Sequence, residues 1–254
     1  MIKLVAILAV IAVLVATIIV WDSESPYLGE QPDAPSGVDD PVGPPSFDNF
    51  EVTRDALEFA DVENDVDYSE ALDFLSSIGL ISGDVQEDGE RLFNGTGTIT
   101  FEEALSVAVN IHRTYYGYAA PPADVWAYAR EHNILPSAYF DESDAGLPVD
   151  KTEWAMVFSR ALPTEAFESI NDIDEVPGLE GDSFGYGSLL SMLRVGIMTP
   201  DEIGAGGLFN RSRGFALYLA RVISPEMRVA FAPLPEVPDG EIDEYEYAEY
   251  DDEN

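Results

Sequence analysis

The sequence predicts an all-α fold made of three tandem helix-loop-helix units. Three observations carry this expectation. Apolar residues recur at helical spacing in paired stretches from about Phe59 to Ile223. The order "helix, Gly or Asn stop, two apolar residues, loop, second helix" is met three times along that span. Two of the second helices open with an N-terminal signal, Thr100 with Glu103 and Asp150 with Glu153, the spacing of a capping box.

In chain order, residues Val5 to Trp21 come first and are apolar apart from Thr17, behind Met1-Ile2-Lys3. At about 1.5 Å per residue a helix of this length crosses a bilayer's hydrocarbon core. No small-x-small site precedes a plausible cut, and the run ends bulky at Ile18-Ile19-Val20-Trp21. Of the two choices for residues 1–21, transmembrane anchor or signal segment, the anchor is favoured. Lys3 on one side, with Asp22 and Glu24 on the other, puts Met1 in the cytoplasm and the remainder at the cell surface. Residues 22–50 read as a Pro-rich linker: six prolines and three glycines lie between Asp22 and Ser46, with no apolar period.

The repeat domain is expected over 51–231. Its first unit, about 59–116, holds a helix from about Tyr68 with Ala71, Leu72, Leu75 and Ile78 on one face, stopped at Gly79 and followed by Leu80-Ile81. Glycine at that point supplies the left-handed residue a helix end favours. Thr100 then caps a second helix with Ala104, Leu105, Ala108 and Val109 inward. The second unit, about 121–163, has a helix around Asp124–Arg130, stopped at Asn133 and followed by Ile134-Leu135, then a helix capped by Asp150 with Trp154, Val157, Phe158 and Ala161 on its apolar face. The third, about 167–225, has Leu189, Leu190, Met192 and Leu193, a stop at Gly196, Ile197-Met198, and a helix from about Arg213 through Phe215, Leu219, Ala220 and Val222. Leu208-Phe209-Asn210 echoes Leu92-Phe93-Asn94. A helix pair of this size cannot bury both apolar faces alone, so the units are expected to share a core. Residues 232–254 read as an acidic disordered tail: ten acids and no base lie from Glu236 to Asn254.

Val149, Lys151, Glu153, Trp154, Ala155 and Arg160-Ala161-Leu162 resemble the V-T-R-A-E-F-A…R-A-L signature of the S-layer homology (SLH) motif, with Lys for its Arg and Trp for its Phe. Phe59-Ala60-Asp61-Val62 is similar to the F-x-D-V that opens such a motif, and Ile170-Asn171-Asp172-Ile173 takes the same place in the third unit. The resemblance implies a pseudo-threefold bundle of helix pairs, with grooves between repeats that hold an anionic cell-wall polysaccharide. It puts Lys151 on the polymer, since a cation at a helix start can clamp a carboxylate. Glu153, Trp126 as a ring for sugars (or, by its helical spacing, a core aromatic), and Arg211 and Arg213 complete the polymer-binding set. Phe101 and Ser212 stand where the other repeats would carry the cation, and Gly214 replaces the third acid. The function implied is a non-catalytic cell-envelope or surface-layer protein that binds cell-wall polysaccharide. The alternative is a protein–protein assembly module of the cell surface with degenerate glycan grooves.

The net charge of −37, from 49 acids against 12 bases, disfavours nucleic acid and anionic lipid surfaces as partners. Low lysine with many acids is similar to proteins of salt-loving organisms, whose medium shortens the Debye length to about 3 Å. With no cysteine, disulfides and thiol chemistry are excluded. Gly181-Asp182-Ser183-Phe184-Gly185 matches a nucleophile elbow, but no histidine follows it. Asn94 to Glu103 is similar to the back half of a calcium loop that lacks two carboxylate ligands. His112 and His132 read as isolated, so no metal and no cofactor are expected. Asn94-Gly95-Thr96 and Asn210-Arg211-Ser212 are glycosylation sequons.

Overall fold

The computed structural model describes residues 43–62, 66–93, 97–118, 121–135, 139–203 and 213–232. The apolar segment Val5–Trp21, the spacer as far as residue 42, both sequons, Leu208-Phe209-Asn210 and the tail from residue 233 lie outside the described residues. Among the described residues, no helix is long and apolar enough to cross a membrane.

The described chain is mostly helical. Its helices are α1 (Val66–Ser77), α2 (Phe101–Tyr115), α3 (Val125–Glu131), α4 (Lys151–Ala161), α5 (Tyr186–Val195), α6 (Pro200–Ile203) and α7 (Arg213–Ile223). One departure from an all-α fold is a small antiparallel hairpin, β1 (Asp84–Val85) with β2 (Arg91–Leu92). Its turn is local chemistry: Gly89 takes φ +88°, and the Asp88 carboxylate accepts the Glu90 N–H at 3.0 Å. The short α6 is a second departure. Glu202 accepts the Thr199 N–H at 2.7 Å, which starts a single turn inside what reads as a loop.

Both expected capping boxes are formed. Thr100 accepts the Glu103 N–H at 3.3 Å while Glu103 accepts the Thr100 N–H at 2.8 Å. Asp150 and Glu153 exchange the same pair at 2.8 and 2.9 Å.

The three helix stops share one hydrogen-bond pattern. Gly79, Asn133 and Gly196 sit at φ +80°, +57° and +78°. In each, the stop's N–H bonds the carbonyl three residues back: Ser76 at 3.1 Å, Arg130 at 3.2 Å and Leu193 at 3.0 Å. The next two N–H groups converge on one buried carbonyl, that of Leu75, Ala129 or Met192, at 2.8 to 3.3 Å. This is the Schellman end, and it points the two following residues inward. Ile81, Ile134, Leu135, Ile197 and Met198 are accordingly buried.

Packing alternates along the chain. α3 lies against α2, α5 against α4, and α1 against α7, while α2 and α4 also touch. One contiguous apolar core results, drawing Leu72 and Leu75 from α1, Leu105 and Ile111 from α2, Leu189 and Leu193 from α5 and Leu219 from α7. Trp154 of α4 is fully buried in it, stacked on Phe158 at 4.3 Å and against Tyr218 of α7 at 5.6 Å.

The expected openings at Phe59–Val62 and Ile170–Ile173 are held differently. In the third unit Ile170 and Asn171 donate both N–H groups to the Arg194 carbonyl, two residues before the stop glycine. In the first unit that place belongs to Thr53 and Arg54, which donate to Ser77. Phe59–Val62, the expected counterpart, instead borders the hairpin: Ala60 N–H bonds the Arg91 carbonyl at 2.8 Å, and Asp61 accepts the Phe93 N–H at 2.6 Å. Residues 46–50 are joined to the end of α2, through Ser46 N–H and Asn49 Nδ2 to the Tyr115 carbonyl at 3.0 and 2.8 Å.

Candidate functional site

The expected site lies at the starts of the second helices, α2, α4 and α7. At the start of α4, Lys151 is half-buried and its Nζ donates to the main-chain carbonyl of Glu202 at the end of α6. Burial lowers its pKa, and the nearby Glu202 charge opposes that. Glu202 is tied in turn to Arg221 of α7 at 3.3 Å, and Arg221 also donates to the Ile197 carbonyl at 2.9 Å. The Arg221 side chain is 10 % exposed, so this pair sits mostly out of water. Lys151, Glu202 and Arg221 thus join α4, α6 and α7. Glu153 is spent on the Asp150 N–H; burial raises its pKa against that bond.

At the start of α2 the corresponding position is Phe101, a core residue. It stacks on Trp126 at 5.7 Å and tilts against Phe140 at 4.5 Å. The N–H groups an anion would need are already taken: Phe101 and Glu102 donate to the carbonyls of Leu147 and Ala145 at 2.8 and 3.1 Å. Trp126 is 6 % exposed, with the Arg130 guanidinium 5.7 Å from its ring, and it offers no open face to a sugar. Trp126 therefore sits in the core beside Phe101, the residue that stands where the resemblance would put a cation. Arg213 opens α7, and Arg211 lies outside the described residues.

The histidines are the larger correction. They read as isolated because neither has a second ligand at metal-ligand spacing in the sequence, yet α2 and α3 bring their rings to 4.9 Å. His112 Nδ1 is 2.9 Å from the Tyr128 hydroxyl, and Tyr128 packs on His132 at 4.1 Å. Tyr116 and Tyr118 complete the cluster, 4.5 and 6.4 Å from His112. His112 is 7 % exposed, and burial, followed by the neighbouring His132, lowers its pKa to about 4. His132 and the tyrosines are half-exposed.

No protein-family model, curated protein or solved structure matches this chain. Function therefore rests on geometry. Ser183 of the elbow-like sequence lies in a turn that enters α5, its N–H bonded to the Glu180 carbonyl at 2.9 Å. Glu103 of the calcium-like loop serves the capping box.

The sequence signal for the histidine pair was present but indirect. His112 lies one helical turn before the end of α2, and His132 directly follows α3. A link between amphipathic helices brings the start of α3 to the end of α2, and α3 has only 7 residues, about 10 Å of helix, so His132 stays near that end.

Proposed function

We propose that the chain is a non-catalytic cell-surface assembly module with an SLH-like, three-repeat architecture whose glycan grooves have been closed by its own residues. Cyclic packing supports the pseudo-threefold reading: α3 on α2, α5 on α4 and α1 on α7 set each unit's first helix against the second helix of the unit before it. The shared Schellman ends support three related units. Membrane tethering and display outside the cell rest on the Val5–Trp21 segment and the linker behind it.

One observation carries the choice of assembly over polysaccharide binding. Lys151, the position the resemblance puts on the polymer, donates to the Glu202 carbonyl inside the protein. An anionic polymer would have to displace that contact against a net charge of −37. A protein partner needs no such cation.

The test uses the detergent-solubilised full chain and its Lys151→Ala variant, presented with purified wall polysaccharide and with purified surface-layer protein. The substitution removes a charged hydrogen bond that is half-exposed, so a stability loss of about 1–2 kcal/mol is expected. Polysaccharide binding is expected to be weak and unchanged, and binding to the surface-layer protein retained. Tight polysaccharide binding that Lys151→Ala abolishes, with the variant still folded, would overturn the proposal in favour of a glycan-binding domain.

A further inference from the structure

We infer that His112 and His132 form a two-imidazole site for a divalent transition-metal ion of the Zn²⁺, Ni²⁺ or Cu²⁺ class, placed where the C-terminal ends of α2 and α3 meet. The inference is independent of the assembly reading.

Geometry carries it. A ring nitrogen binds such a metal at about 2.0–2.1 Å, which puts each ring centre about 3.2 Å from the ion. Two imidazoles at 90–110° about one ion then have ring centres about 4.5–5.2 Å apart. The observed separation is 4.9 Å, with the ring planes at 50°. Packed rings also lie about 4.5–7 Å apart, so the distance admits the ligand geometry and the hydrogen-bond pattern selects it.

The hydrogen-bond pattern agrees. His112 meets Tyr128 through Nδ1, leaving Nε2 as its ligating nitrogen. A partner on the far nitrogen is how metal-binding histidines are held in one orientation. Neither nitrogen of His132 is hydrogen-bonded among the described residues, and its half-exposed ring opens the site to solvent. Tyr128 thus acts as a positioning residue, bonded to one imidazole and packed on the other.

Charge and ligand count define the class. Both histidines lie at helix C-terminal ends, whose dipoles favour a cation. Imidazole selects Zn²⁺, Ni²⁺ and Cu²⁺ over Mg²⁺ and Ca²⁺. Among the described residues no third His, Cys, Asp or Glu completes the set, so the remaining coordination positions fall to water or to an external donor. This is an open site and not a closed structural one.

The experiment is Cu²⁺ and Zn²⁺ titration of the detergent-solubilised full chain. Excess Mg²⁺ is present to occupy the acidic surface. The Cu²⁺ adduct is read by electron paramagnetic resonance. The expected result is one tight equivalent with hyperfine coupling to two nitrogens. His132→Gln, a change at a half-exposed position, should lose one nitrogen and weaken binding at least tenfold. Tyr128→Phe should weaken it about 10–100-fold while keeping both nitrogens. Circular dichroism melting checks that each variant is folded. A wild-type spectrum showing only oxygen donors, or Zn²⁺ retention equal in wild type and His132→Gln, would overturn the inference.

Discussion

Gly79 and Gly196 end α1 and α5 at nearly the same backbone angle, yet alanine should not cost the same at both. An L-residue in the left-handed region loses about 1–2 kcal/mol relative to glycine. At φ +80° and +78° both sites bear that loss. Their surroundings differ. A Cβ on Gly79 would meet only Thr53 Oγ1, at 3.9 Å, which is ordinary contact. A Cβ on Gly196 would lie 2.5 Å from the Val229 carbonyl oxygen and 2.9 Å from its nitrogen, both main-chain atoms. Those atoms are held: Val229 N–H bonds the Gly196 carbonyl at 2.9 Å, and its oxygen accepts from Asn171 Nδ2 at 3.0 Å. Relief of the clash breaks at least one of these bonds, at about 1 kcal/mol, and shifts neighbours packed around them. Gly79→Ala is therefore expected to lose about 1 kcal/mol and Gly196→Ala about 3 kcal/mol. In a domain of this size the 2 kcal/mol gap corresponds to about 4–8 °C in melting temperature. Urea unfolding with matched m values measures it directly. Equal losses in the two variants would refute the claim that main-chain contact, rather than the angle alone, makes glycine necessary at position 196.

Two further outcomes are expected. Arg221→Ala removes one partner of a mostly buried pair and should cost about 3 kcal/mol, whereas Arg130→Ala, whose partner Glu142 is 68 % exposed, should cost below about 1 kcal/mol; urea midpoints that fall equally would contradict this ranking. His112, faced by His132, Tyr116, Tyr118 and Tyr128, has a folded pKa of about 4, below an unfolded value of about 6.5. Between those values the unfolded chain binds more protons, so the stability tied to His112 is complete above about pH 6.5 and is lost as pH falls towards about 4, by at most about 3 kcal/mol. With chelator present, acid should destabilise the wild type more than His112→Gln over that window; parallel profiles would remove His112 as the cause.

Local signals in the sequence placed the paired helices but not the short α6. Periodicity placed the paired helices, and the Thr100 and Asp150 starts and the Gly79, Asn133 and Gly196 stops form the hydrogen bonds their residue types imply. What escaped was set by contacts distant in the chain. Asp61 matched an opening motif by its neighbours, yet its bond to Phe93 N–H, across the hairpin, fixes where it sits. Trp126 fitted a core position by its helical spacing and a sugar platform by resemblance, and its stack on Phe101 puts it in the core. His112 and His132 carried no spacing that names a ligand pair, because their meeting depends on how α3 lies along α2.

Of the two lysines in the chain, Lys3 lies outside the described residues, which leaves Lys151 as the one lysine among them. On a strongly acidic surface a lone ammonium has two uses: to attract an anion from outside, or to satisfy an acceptor within. The second costs no association entropy, since the Glu202 carbonyl is delivered by the fold itself. Any external anion must match that contact after first approaching through the protein's own negative field. The Arg221–Glu202 pair holds the end of α6 in reach and so strengthens the internal acceptor's advantage. A helix start suited to a carboxylate becomes in this way a clamp between α4 and α6, and the Phe101–Trp126 stack fills the start of α2 without any charge.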